Sequence, residues 1–176
     1  MLGAGVDLPG GRTLRPVRAS DGAFLAALYR STRSDLFLIG DRDLSESLVD
    51  MQFTAQSAGY GERYPDALHF IIGELDTSIG RLILDFSDGS VHLVDLSLIP
   101  EARGKGHGAA VIQAMQQVAA RMPAPLTLAV QQANSGAFAL YQRLGFHTEQ
   151  QSGPYLRMAW YPRALASGAA VAGERA

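Results

Sequence analysis

Residues Val91–Met122 read VHLVDLSLIPEARGKGHGAAVIQAMQQVAARM, a strand, a glycine-rich turn and a helix in direct succession. Val91, Leu93, Val94, Leu96, Leu98 and Ile99 form an apolar run that is too short and too alternating for a helix. Pro100 closes it, because proline has no N–H to give a ladder. Gly104, Gly106 and Gly108 then let the backbone turn tightly and come close to a ligand. From Ala109 the period becomes helical. Val111, Ile112, Met115, Val118, Ala119 and Met122 fall on one side, and Gln113, Gln116, Gln117 and Arg121 on the other.

Such a junction is suited to an anion. The first turn of a helix leaves N–H groups without intrahelical acceptors and carries a partial positive charge. Here three glycines bare those groups, and Arg103 and Lys105 add two cations. Each charge-assisted hydrogen bond contributes roughly 1.5–3 kcal/mol, so several would hold a diphosphate. The plainer reading is a connecting loop whose glycines serve only the turn. Two familiar phosphate cradles are excluded. A P-loop places Ser or Thr after its Gly-Lys, whereas Gly106 follows Lys105. A dinucleotide fingerprint needs G-x-G-x-x-G, and the spacing here is G-x-G-x-G.

Arg103, Gly106 and Gly108 match the Arg/Gln-x-x-Gly-x-Gly/Ala signature of the GNAT superfamily of N-acetyltransferases. The likeness continues upstream through Leu98-Ile99-Pro100-Glu101. Downstream, Asn134 to Phe146 (NSGAFALYQRLGF) resembles the second signature of that family. The resemblance implies acetyl-CoA as acyl donor, no metal, and an amine acceptor attacking the thioester directly in a ternary complex. It also implies a central sheet in which the strands Val91–Ile99 and Leu126–Val130 splay apart to admit the donor. A non-catalytic acyl-CoA-binding sensor or partner module, and a nucleotide-binding protein, are the rival readings.

The remaining composition fits one globular domain. The chain has 176 residues, 47% hydrophobic, with a net charge of −2, so nothing draws it to nucleic acid or an anionic membrane. The absence of cysteine excludes a thiol nucleophile and a zinc-thiolate site, and suits a cytoplasmic protein. MLGAGVDLPGGR has no apolar stretch of the kind a signal peptide needs, and no run approaches the ~20 apolar residues of a membrane span.

In chain order, residues 1–12 are expected to be flexible, 13–161 to form the acyltransferase domain, and 162–176 to be a disordered tail. Thr13–Val17 read as a strand. Ser20 caps a first helix that buries Phe24, Leu25 and Leu28. A second helix starts at Asp43 and buries Leu44, Leu48, Met51, Ala55 and Ala58. Strands at 67–73 and 79–86 lead through Asp88-Gly89 into the Val91 strand. The resulting order, β-α-α-β-β-β-α-β-α-β-β, is an α/β fold with a mixed, mostly antiparallel central sheet flanked by helices.

The resemblance assigns the roles. Backbone amides of Leu98 and Ile99 would hold the donor's pantetheine arm and polarise its thioester carbonyl. Arg103, Gly104, Lys105, Gly106, His107 and Gly108 would bind the diphosphate, His107 being either a phosphate contact or merely exposed. Tyr141 would sit by the departing sulfur. A thiol near pKa 8.5 and a phenol near 10 make full proton transfer mildly uphill, so hydrogen-bond donation describes the step better. Asn134, seven residues earlier, would bond the pantetheine, cap the helix, or both. Asp95 would act as base or grip a water, or else make a structural hydrogen bond. His92, three residues from Asp95, cannot share its face of an ideal strand and reads as a surface histidine. His69 reads as a core histidine. Gln52, Gln56 and Tyr60 recur every four residues on the second helix and would recognise the acceptor, or simply form a solvated face. A small amine, an antibiotic, a peptide N-terminus and a protein lysine all stay open, as does a homodimer through the terminal hairpin.

Overall fold

The computed structural model describes residues 5–33 and 42–165. The chain forms two compact units, Met1–Ile83 with Asp95–Lys105, and Leu84–Val94 with Gly106–Ala176. The first unit contains β1 (Val6–Leu8), β2 (Arg12–Pro16), α1 (Gly22–Ser31), α2 (Arg42–Arg63) and β3 (Leu68–Glu74). The second contains α3 (His107–Arg121), β6 (Leu126–Gln131), α4 (Ser135–Arg143), β7 (His147–Ser152) and β8 (Tyr155–Trp160). Strands β4 (Thr77–Asp85) and β5 (Val91–Leu98) belong partly to each. Hydrogen-bonded neighbours run in the order β1-β2-β3-β4-β5-β6-β8-β7. The β1–β2, β2–β3, β6–β8 and β7–β8 pairs are antiparallel and β5–β6 is parallel, the mixed α/β sheet expected.

One strand was not expected. Within the segment 1–12, Val6, Asp7 and Leu8 pair with Leu14, Thr13 and Arg12. The Gly10-Gly11 turn that closes this hairpin is a recognisable signal. Of the expected tail, residues up to Leu165 are described and 166–176 are not.

In the second unit, α3 follows its sequence. Val111, Ile112, Met115 and Ala119 are buried, although Met122 at the end of the stripe is 50% exposed. They belong to a core with Leu126, Leu128 and Val130 of β6 and Met158 and Ala159 of β8. Gln116 Nε2 donates to Leu144 O at 2.7 Å, fastening α3 to the end of α4.

In the first unit, Ile71, Ile72, Leu82, Ile83, Leu14, Leu28, Tyr29 and Val49 are buried. The helix α1 begins later than Ser20 suggested, after a 3-10 turn over Ala19–Asp21. Asp21, rather than Ser20, is the organising residue. Both its oxygens accept from Arg15 at 2.7 Å, and Oδ2 also accepts from the Arg18 amide. Hydrogen bonding from Arg15 is the main reason its carboxyl titrates low, at about 2.

The helix α2 presents a different face from the one its apolar residues suggested. Leu44 and Met51 are 50% and 61% exposed, and Ala55 and Ala58 are exposed too. Ser45 and Val49 are buried instead, followed by half-buried Gln52, Phe53, Gln56 and Tyr60. The Tyr29 and Phe53 rings, with centroids 5.3 Å apart, join α1 to α2. The inward face is therefore polar and aromatic along its second half.

Candidate active site

The glycine loop has the conformation that its sequence requires. Pro100–Ala102 make one 3-10 turn, and the chain then passes through Gly104 at φ 72° and Gly106 at φ 82°. A residue with a Cβ is strained at such angles. A Cβ built on either glycine meets no atom of the described residues within 4 Å, so the space beside them is open among those residues. Gly106 is the N-cap of α3, and Ala110 is the residue whose amide returns to it, at 3.1 Å. Amides ahead of that point are the ones a helix leaves to outside partners. No acidic residue lies in this first turn, and Lys105 is exposed. Gly108 is half-buried. The His107 side chain is only 4% exposed, so the exposed alternative does not hold.

Arg103 turns back toward its own unit. Its Nε donates to Leu98 O at 2.9 Å, and Nη2 lies 3.3 Å from both the carbonyl and the hydroxyl of Ser31. The arginine thus ties the loop to the end of β5 and the last turn of α1. The Ile99 amide donates to Ile79 O at 2.9 Å and is committed to the sheet. Strand alternation turns the Leu98 amide to the opposite edge. The parallel ladder of β5 with β6 covers three pairs, Val91–Leu126, His92–Thr127 and Leu93–Leu128, while β5 itself runs to Leu98. Gly80 permits a close approach on the other side, since a Cβ there would lie 2.4 Å from Ser97 O.

The first unit also gathers a polar cluster. Asp95 Oδ2 accepts from Arg81 Nε at 2.9 Å, with side-chain exposures of 15% and 8%. The Ser97 hydroxyl lies 3.1 Å from both Asp95 oxygens. Arg81 Nη2 reaches Gln56 Oε1 at 3.4 Å, and the guanidinium stands 5.9 Å from the Tyr60 ring centroid. Among the described residues, Gln52 Oε1 is buried with no hydrogen-bond partner. The structure thus brings Gln56, Tyr60 and Asp95 together around Arg81, which the sequence reading did not single out. The signal was a cation inside the apolar run of β4, matching the anion inside the apolar run of β5. His69 is exposed rather than part of the core. Desolvation still lowers its pKa below the ordinary imidazole value; Arg81 acts in the same direction and Asp95 opposes it.

In the second unit, Asn134 Oδ1 accepts from the Ala137 amide at 3.1 Å, so the capping role is realised. Tyr141 is buried, 9% exposed, with its ring 5.7 Å from that of Phe146. His92 Nδ1 lies 2.8 Å from the Thr127 hydroxyl on the neighbouring strand. Among the described residues, no group of three His, Cys, Asp or Glu is placed to hold a metal. None of the described helices is long and apolar enough to cross a membrane.

The sheet is mixed, and the left-handed glycine turn opening α3 and the helix capped by Asn134 fall on the two stretches that carry the sequence likeness. Residues 26–146 match the model of the acetyltransferase (GNAT) family, and the chain belongs to that family. Solved structures agree on the fold. A PaiA N-acetyltransferase from Thermoplasma acidophilum, in complex with coenzyme A, superposes with TM-score 0.65 at 21% identity, covering 85% of this chain and 98% of the other. A Vibrio cholerae–human spermidine N-acetyltransferase chimera gives 0.63 at 19% identity, covering 89% and 99%. The ribosomal-protein-S18-alanine N-acetyltransferase of Escherichia coli gives 0.57 at 18%, covering 85% and 93%. No curated protein matches the chain.

Proposed function

We propose that the protein is an N-acetyltransferase that moves an acetyl group from acetyl-CoA to an amine by direct attack in a ternary complex. The left-handed Gly104–Gly106 turn at the head of α3 carries the reading, because it bares amides beside space that no described residue fills, as a diphosphate requires. Relatives solved with coenzyme A support the choice of donor.

The amides of Gly104 to Gly108 and the Lys105 ammonium hold the diphosphate, with the His107 contribution coming from its backbone. Arg103 keeps the loop in place through Leu98 O and Ser31. The Leu98 amide polarises the thioester carbonyl; Ile99, its own amide engaged by Ile79, sets the strand that presents it. The donor supplies a thioester whose sulfur leaves as thiolate. The Tyr141 hydroxyl donates a hydrogen bond to that sulfur, and Asn134 fixes the helix that carries Tyr141. Asp95 takes the acceptor's proton, directly or through a water. Gln52, Gln56 and Tyr60 recognise the acceptor, and the unpartnered Gln52 Oε1 suits an N–H donor. With no cysteine in the chain, a thiol acyl-enzyme is excluded. The same lack of cysteine supports a cytoplasmic setting.

The test is thiol release from acetyl-CoA across a panel of amines. Amine-dependent release supports the enzyme. Binding of acetyl-CoA without release under any amine supports the binding module instead.

A further inference from the structure

We infer that Arg81 is the positioning residue for the acceptor side of this site, acting through Asp95, Gln56 and Tyr60; the inference rests on the acyltransfer reading above. A guanidinium buried in a strand has to have its charge matched and its N–H groups engaged. Arg81 meets both needs with the residues that the proposal assigns to the acceptor. Its Nε is held by Asp95, the proposed proton acceptor. Its Nη2 approaches the Gln56 carbonyl oxygen, and its Cζ lies 5.9 Å from the Tyr60 ring centroid. Gln56 and Tyr60 are one turn apart on α2, Arg81 is on β4 and Asp95 on β5, so one side chain links three elements. Ser97 completes the shell around the carboxylate, which leaves Asp95 with a fixed orientation.

The fork geometry is what matters here. Lysine would keep the charge and could reach Asp95, but its single ammonium cannot serve Asp95 and Gln56 in two directions. Arg81→Lys therefore separates charge from positioning.

The experiment uses the full chain, with acetyl-CoA as donor and spermidine, L-alaninamide and Nα-acetyl-lysine amide as acceptor probes. Thiol release gives the acceptor KM and kcat on the most active probe; calorimetry gives the acetyl-CoA affinity, and thermal melting reports the fold. For Arg81→Lys we expect kcat/KM for the acceptor to fall about tenfold or more, with acetyl-CoA affinity within about twofold of the unmodified protein. An unchanged acceptor kcat/KM would overturn the inference, as would equal losses of acceptor and donor binding. Should Arg81→Lys fail to fold, Arg81→Gln, a neutral amide that can still donate to Asp95 and leaves the proposed base in place, is used instead. Folded Arg81→Gln that binds acetyl-CoA normally but has lost acceptor kcat/KM supports the inference; near-normal acceptor kcat/KM in that variant refutes it. If the unmodified protein binds acetyl-CoA but releases no thiol with any probe, the acyltransfer reading fails and takes this inference with it. Turnover in the unmodified protein with Arg81→Lys indifferent sinks the inference alone.

Discussion

The helices α2 and α3 carry comparable apolar stripes in sequence and use them in opposite ways. Along α3 the stripe is the buried one, with Val111, Ile112, Met115 and Ala119 inside. Along α2, Leu44, Met51, Ala55 and Ala58 face outward and only Leu48 of the stripe is half-buried, while Gln52, Gln56 and Tyr60 turn in. The difference lies in what each helix covers. The α3 residues belong to an apolar core, for which apolarity is the right guide. The second half of α2 meets Arg81, and buried charge favours amide and aromatic neighbours over alanine. The polar stripe of α2 is therefore an inward face rather than a solvated one.

The largest effect that could break this comparison is on stability. Met115→Ala in α3 is expected to cost about 2–5 kcal/mol, as buried methionine truncations do. Met51→Ala in α2 is expected to stay within about 0.5 kcal/mol, as exposed substitutions do. Chemical denaturation of both variants decides it, and equal costs would mean that the two helices do not differ in this way. Next comes Tyr141→Phe, which removes one hydroxyl from a buried ring: kcat is expected to fall about 100-fold with acetyl-CoA affinity retained. Steady-state kinetics beside calorimetry would show it, and intact kcat would remove Tyr141 from the chemistry.

A smaller effect, about tenfold on donor KM, is expected for Gly106→Val at the head of α3, equivalent to about one charge-assisted hydrogen bond. Valine at φ 82° is also strained, so some loss of Tm accompanies it. Gly89→Val, at φ 66° in the β4–β5 turn, is the control: it should lose similar stability without raising the donor KM. The smallest effect concerns Asp21. Its folded pKa of about 2 lies below the ordinary value near 3.9, so its stabilisation is complete above about pH 4 and is lost as pH falls through 2. Asp21→Asn should cost about 1 kcal/mol near pH 7, a Tm drop of about 2–4 °C. The gap from the unmodified protein should close at pH 2; a gap that persists there would show that the carboxylate charge is not the cause.

What was legible in the chain follows the same division. The strand, glycine turn and helix of Val91–Met122 could be read because their signals are local: alternation, proline, positive-φ glycines and a helical period within one stretch. Asn134 as a cap needed only the Ala137 amide three residues on. Arg81 was missed because its partners lie 14 and 25 positions away, at Asp95 and Gln56, and no local pattern reports such a pairing. Ile99 shows a second gap. The family likeness points to its amide alongside that of Leu98, but only the neighbouring strand reveals that the Ile79 carbonyl already takes it.

Calorimetric titration with acetyl-CoA and with S-acetyl-pantetheine, which keeps the thioester arm and lacks the diphosphate, tests the grip of the glycine turn most directly. Acetyl-CoA is expected to bind about 100-fold more tightly or better, the worth of about two charge-assisted hydrogen bonds. Equal affinities, or no binding of acetyl-CoA, would contradict the account.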